Sequence, residues 1–106
     1  AEDRATGQSG GGVTPASPNA PGLNNPPLAY PEAAVGLGLE GTAVVRVEVD
    51  ADGRVERVDV ARSSGHYLLD EAARRAVENW RFRPATRGGQ AVASVVTLPV
   101  RFRLPG

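Results

Sequence analysis

The clearest pattern along this chain is an alternation of apolar and mostly polar positions in two runs between Gly41 and Arg62. Ala43, Val45, Val47 and Val49 alternate with Thr42, Val44, Arg46 and Glu48, a period of two that predicts a strand with one buried face. Asp50-Ala51-Asp52-Gly53 breaks it with turn chemistry: aspartates that bond local N–H groups and a glycine free to take positive φ. Val58 and Val60 then alternate with Arg57, Asp59 and Ala61, so the pair predicts a β-hairpin. The period next becomes helical. Leu69, Ala72, Ala73, Ala76, Val77 and Trp80 form one stripe, with Asp70, Glu71, Arg74, Arg75, Glu78 and Asn79 opposite. Early acids and later arginines suit the helix dipole, and Glu71–Arg75 has i,i+4 spacing. Pro84 stops that pattern and extends Arg83. After the turn in "TRGGQ", alternation returns, with Val96, Leu98, Val100, Phe102 and Leu104 on one face. Pro99 lacks a ladder donor and therefore predicts an edge strand.

Upstream, "YPEAAVGLGLEG" predicts a helix of about two turns. Pro31 suits its first turn, Glu32 favours the positive end of the dipole, and Gly36 and Gly38 stop it. Residues 1–27 offer only Val13 and Leu23 as large apolar side chains. Such a segment cannot offset its ordering entropy, so it is expected to be a disordered Pro/Gly-rich linker ahead of a domain at 28–106. The order short helix, strand, strand, helix, strand predicts an α+β two-layer sandwich. Its three antiparallel strands run in the order 2-1-3, with the helices on one face and the last strand at an edge.

Composition removes several classes of chemistry. Twelve acids balance twelve cations, all arginine, so no net field selects nucleic acid or an anionic membrane. No cysteine is present, which excludes disulfides, thiolate metal sites and cysteine nucleophiles. His66 is the only histidine, and Ser63, Ser64 and Asp70 near it predict a helix-entry turn. A catalytic triad is assembled across a fold rather than within one turn. "DADG" begins like a calcium loop but lacks the downstream acidic ligands, so no metal or cofactor is expected. Arg81, Arg83, Arg87, Arg101 and Arg103 cluster with Trp80 and Phe82, a composition that single-stranded nucleic acid could use. Trp80 and Phe102 fall on apolar stripes, however, which predicts burial rather than base stacking. Trp80 is expected to close the helix–sheet layer, with Phe82 inward and Arg81 and Arg83 in solvent.

Together these residues suggest a family. Residues 28–104 resemble the TonB C-terminal domain. The resemblance rests on Tyr30-Pro31, Gly38-Leu39-Glu40-Gly41, Asp52-Gly53-Arg54-Val55, Ser63-Ser64-Gly65, Leu69-Asp70 with Ala72-Ala73, and Trp80-Arg81-Phe82 before Pro84-Ala85. It implies a non-enzymatic energy transducer of the Gram-negative envelope. A membrane helix N-terminal to this stretch would join an ExbB–ExbD type complex in the inner membrane, a Pro-rich linker would cross the periplasm, and the domain would bind TonB-dependent outer-membrane transporters for siderophore, haem or cobalamin cargo. A transporter's TonB box would add as a strand along Ala93, Ser94, Val95, Val96, Thr97, Leu98, Val100 and Arg101. Pro27, Leu28 and Ala29 stand where many members have Gln-Pro-x, so that glutamine's role does not transfer. Leu28 and Tyr30 are the candidates for a secondary partner contact, the alternative being that they dock on the domain. A strand-exchanged homodimer is compatible with the apolar edge. The competing classes are a TolA-like envelope scaffold and an arginine-rich nucleic-acid module.

Overall fold

The computed structural model describes residues 12–18, 23, 25 and 28–105. Its elements are β1 (Val13–Thr14), α1 (Glu32–Gly36), β2 (Gly41–Val49), β3 (Val55–Arg62), α2 (Tyr67–Glu78), β4 (Ala85–Arg87), β5 (Gln90–Val92) and β6 (Ser94–Phe102). The main sheet runs β3-β2-β6, all antiparallel. This is the order and the α+β class expected from the alternation, with the last strand at an edge. A second three-stranded sheet, β1-β4-β5, was not anticipated.

β2 is central because both of its main-chain sides find partners. Ala43, Val45, Val47 and Val49 are buried, while the residues between them are not. α2 lays its stripe across this face, with Leu69, Ala73 and Val77 buried. Small side chains at 72, 73 and 76 let the helix approach the sheet closely. The opposite face carries the charges: Arg74 bonds Glu71 at 2.7 Å and also reaches Glu78, whereas Arg75 lies 3.7 Å from Glu71. α1 is shorter than expected, and Pro31 sits just before its first turn rather than in it.

Gly53 joins the hairpin to the segment that follows α2. Its carbonyl accepts the Phe82 N–H at 2.8 Å, and a Cβ at this position would lie 2.0 Å from the Phe82 oxygen. Its φ of +84° is a second reason for glycine. Beyond this junction Phe82 turns inward to 2% exposure, while Arg81 and Arg83 face solvent. Trp80 is half-buried against the core, and among the described residues its buried Nε1 has no hydrogen-bond partner. Phe82, like Phe102, is thus fully enclosed, and Trp80 is not.

Gly88 and Gly89, with φ of 57° and 83°, make the tight turn from β4 into β5. The stretch read as one long final strand is consequently two strands, separated at Ala93. Part of the expected linker also lies along the domain. β1 pairs with β4, and Ser17 pairs with Arg83, although main-chain bonding rather than apolar burial holds most of it there. The remainder of that expected linker (1–11, 19–22, 24, 26 and 27) lies outside the described residues.

Truncating an enclosed aromatic leaves a cavity, so Phe82→Ala should cost about 3–5 kcal/mol. Trp80→Phe keeps most of the apolar contact and removes an unpartnered donor, and should cost under about 1 kcal/mol. Urea denaturation followed by circular dichroism distinguishes the two; equal losses would contradict this division of roles.

Candidate functional site: an unpaired sheet edge

Three regions carry the expected chemistry, and their geometries differ. The first is the Ser/His/Asp turn. The Asp70 carboxylate accepts the Ser64 N–H at 2.8 Å, the Ser64 hydroxyl at 2.7 Å and the Ser63 hydroxyl. The serines therefore meet the aspartate directly, without an imidazole between them. The Ser64 oxygen also accepts the His66 N–H at 3.2 Å. This is a helix-entry clip of local main chain and hydroxyls. It ties the loop to β2, because a Cβ at Gly41 would lie 2.8 Å from the Ser64 carbonyl oxygen. Burial pushes the Asp70 carboxyl upward, but hydrogen bonds from Ser63 and Ser64 and the charge of His66 outweigh it, and the pKa lies below the ordinary value.

The second region is the entry segment before α1. Tyr30 donates its hydroxyl to the Leu39 carbonyl and sets its ring edge-on to Phe102, with centroids 5.4 Å apart at 81°. Burial, and secondarily the Glu40 carboxylate, raise its pKa. Leu28 packs on the same core. Both side chains are therefore engaged with the domain, in keeping with the docked alternative.

The third region is β6. It pairs with β2 over nine consecutive positions, from Val49↔Ser94 to Gly41↔Phe102, without a bulge. Side chains at 96, 98, 100 and 102 lean on the core, whereas those at 95, 97, 99 and 101 are exposed. Proline 99 fixes which main-chain groups point which way. It holds its place opposite Val44 without an N–H, so the ladder bonds must come from its neighbours. By alternation the N–H and C=O groups of Val95, Thr97 and Arg101 face the outer edge, as does the Pro99 carbonyl. No strand among the described residues covers that edge. Of the expected strand-addition residues, Ser94, Val96, Leu98 and Val100 thus spend their main chain on β2, and Ala93 lies before the strand begins.

β3 is the other edge of this sheet, but it is a poorer template. Its pairing with β2 shifts register at Val44/Val45 and again at Glu48/Val49. Bulges of that kind twist and interrupt an edge, which blunts further strand addition. Its outward side chains include Glu56, Arg57 and Arg62, all exposed. β6 instead offers a regular ladder and Val95, an apolar side chain 49% exposed. The arginines that could have suggested nucleic acid fall on two stretches, Arg81, Arg83 and Arg87 along 81–88 and Arg101 and Arg103 at the end of β6. Of the aromatics beside those arginines, Phe82 is buried and Trp80 is half-buried against the core. Sequence periodicity identified the edge strand but not its outward residues, for which the proline was the available signal.

Comparison with known proteins agrees with the architecture. Residues 26–104 match the family described as Gram-negative bacterial TonB protein C-terminal. The chain is 45% identical over 88 residues to protein tonB2 of Pseudomonas aeruginosa, an alignment covering 83% of this chain and 33% of that protein. It is 44% identical over 80 residues to protein TonB of Xanthomonas campestris, covering 76% and 35%. It thus spans about a third of the length of these curated relatives. A solution structure of the P. aeruginosa TonB CTD superposes with a TM-score of 0.67 at 30% identity, covering 83% of this chain and 92% of that one. A Helicobacter pylori TonB-CTD structure, at 23% identity and a TM-score of 0.58, shares the fold over 74% of this chain and 71% of that one.

The Asp70 clip generates a pH prediction. Asp70 is held below its unfolded value, and so is Glu71, whose largest cause is the hydrogen bond from Arg74. Their contribution to stability is complete above the unfolded carboxylate values of about 4 and is lost as pH falls through the lower folded values. Thermal melts of the wild type should therefore drop steeply below about pH 4, and Asp70→Asn should flatten that acid limb. An unchanged slope in the variant would exclude the clip as its source.

Proposed function

The chain belongs to the Gram-negative bacterial TonB protein C-terminal family, and on that premise we propose that it is the periplasmic receptor-binding domain of a TonB-type energy transducer. The observation that carries this reading is the free, bulge-free edge of β6. An extended segment from an outer-membrane transporter adds along it as a further strand of the main sheet. Val95, Thr97 and Arg101 can each donate and accept outward, and Pro99 can only accept. The added strand is therefore gripped most completely between Val95 and Thr97.

Main-chain pairing explains how one domain can serve transporters of different sequence, since every non-proline segment carries the same N–H and C=O groups. Ordering that segment costs conformational entropy, which keeps the complex releasable. Pulling through the chain upstream of this domain would then pass from the inner-membrane motor, an ExbB–ExbD type complex, into the transporter through the paired strands. The domain binds and transmits, and nothing in this role calls for catalysis or a cofactor. A second copy of the chain could occupy the same edge, in which case dimer and receptor complex compete for it.

Thr97→Pro removes an outward donor and leaves every β2–β6 bond in place. It should weaken binding of a TonB-box peptide by about tenfold, the scale of one lost hydrogen bond plus the proline's steric misfit, with little change in melting temperature. Val96→Pro instead removes an inward donor and should destabilise the fold itself. Calorimetric titration and thermal melting of both variants provide the test. Wild-type affinity in Thr97→Pro would sink the edge-addition reading.

A further inference from the structure

The domain has a second strand-acceptor edge, and its own chain occupies it. Gly88 donates its N–H to the Gly12 carbonyl at 3.1 Å, Val13 and Thr14 pair with Arg87 and Thr86, and Ser17 exchanges bonds with Arg83 at 3.1 and 2.8 Å. These pairs keep one antiparallel offset, but the ladder is interrupted at residues 15 and 16, so Ser17–Arg83 is an isolated bridge beyond β1. Further along, the Asn25 side-chain amide imitates a peptide group. Its Oδ1 accepts the Arg81 N–H at 2.6 Å, and its Nδ2 donates to the Arg81 carbonyl at 2.8 Å and to the Pro18 carbonyl at 3.0 Å. The grip is polar: Val13 is 64% exposed, and among the described residues of the segment only Ala16, at 8%, is buried.

The direction of this pairing has a mechanical consequence. Gly12, the upstream end, lies opposite Gly88, so a pull before residue 12 directed away from the edge loads the Gly12–Gly88 bond first and the Asn25–Arg81 bonds last. Bonds broken one after another yield at much lower force than a ladder sheared all at once. We propose that residues 12–18, pinned again at Asn25, form a releasable strap on the 81–88 edge. It opens independently of the core and lengthens the tether. At full extension the stretch from Gly12 to Asn25 spans about 45 Å, and the gain in reach is that length less the distance already covered between Gly88 and Arg81. The source of the load rests on the transducer reading above; the docking and its independent opening do not.

Native-state hydrogen exchange on the intact chain tests the strap without any receptor. The Arg81, Arg83 and Gly88 amides should be protected at least about tenfold over an unstructured peptide. They should still exchange at least about a hundredfold faster than those of Val45 and Val47, which open only with the core. Ser17→Pro removes the donor to Arg83 and should bring the Arg83 and Gly88 amides to unprotected rates, leaving the Phe82 amide, bonded to Gly53, unchanged. Pulling the chain from its two ends should likewise show an early, separate lengthening step before the core yields, absent in Ser17→Pro. Unprotected Arg83 and Gly88 in the wild type would show that no strap forms. Rates equal to those of Val47, or loss of Phe82 protection in the variant, would show that the segment is an integral part of the core. Either failure leaves the β6 edge reading intact, because these measurements do not involve β6.

Discussion

The contact between Gly53 and Phe82 is the constraint on which the second half of the structure depends. A hairpin turn and a helix exit meet there at main-chain distance, with a hydrogen bond of 2.8 Å and no room for a side chain on the glycine. The bond fixes the chain's direction as it leaves α2. Phe82 is driven into the core, its neighbouring arginines are turned to solvent, and the following residues run out as β4. β4 and β5 then reverse the chain so that β6 enters beside β2. Without that junction the helix would still form, since its stripe and charges are local. The path from its end to the last strand would be undetermined.

The glycines and small polar residues that mark the family are explained by similar close approaches. Gly41 lies under the Ser64 carbonyl, and Ser63 and Ser64 are held by Asp70, so the loop before α2 is pinned to the start of the central strand. Tyr30 closes the other end of the layer on Phe102 and Leu39. These residues act as pairs across the fold. Their chemistry, hydroxyls and carboxylate included, is consumed in holding elements together. The outer main chain of β6, by contrast, is not consumed by any strand among the described residues.

The two edges of the domain are managed in opposite ways. On β6 a regular ladder is left open, and Pro99 removes one outward donor while preserving the inward bonds. On the 81–88 segment the outward groups are satisfied by the chain's own upstream residues, bonded by main chain and an asparagine amide with little apolar burial. An open edge is an aggregation liability that proteins usually cover or blunt. A regular one left open is therefore a functional signal, and a weakly covered one invites exchange.

The sequence by itself determined the hairpin, the amphipathic helix, the closing strand, the order of the main sheet and the inward faces of its strands. Each of these follows from local periodicity: a half-buried strand must alternate, a half-buried helix must repeat every three to four residues, and a proline in a strand points to an edge. The family marks were legible for the same reason, as fixed residues at fixed spacing. Only the tertiary structure decided that three-residue strands at 85–87 and 90–92 form a separate sheet, because segments so short carry no period. It alone placed Val13 and Thr14 against them, since pairing across some seventy residues leaves no local trace in a segment of glycine, proline and serine. It also decided that Asp70 answers the two serines and that Phe82 rather than Trp80 is fully enclosed. The choice between those aromatics depends on where the Gly53 turn arrives, and that is a property of the folded chain alone.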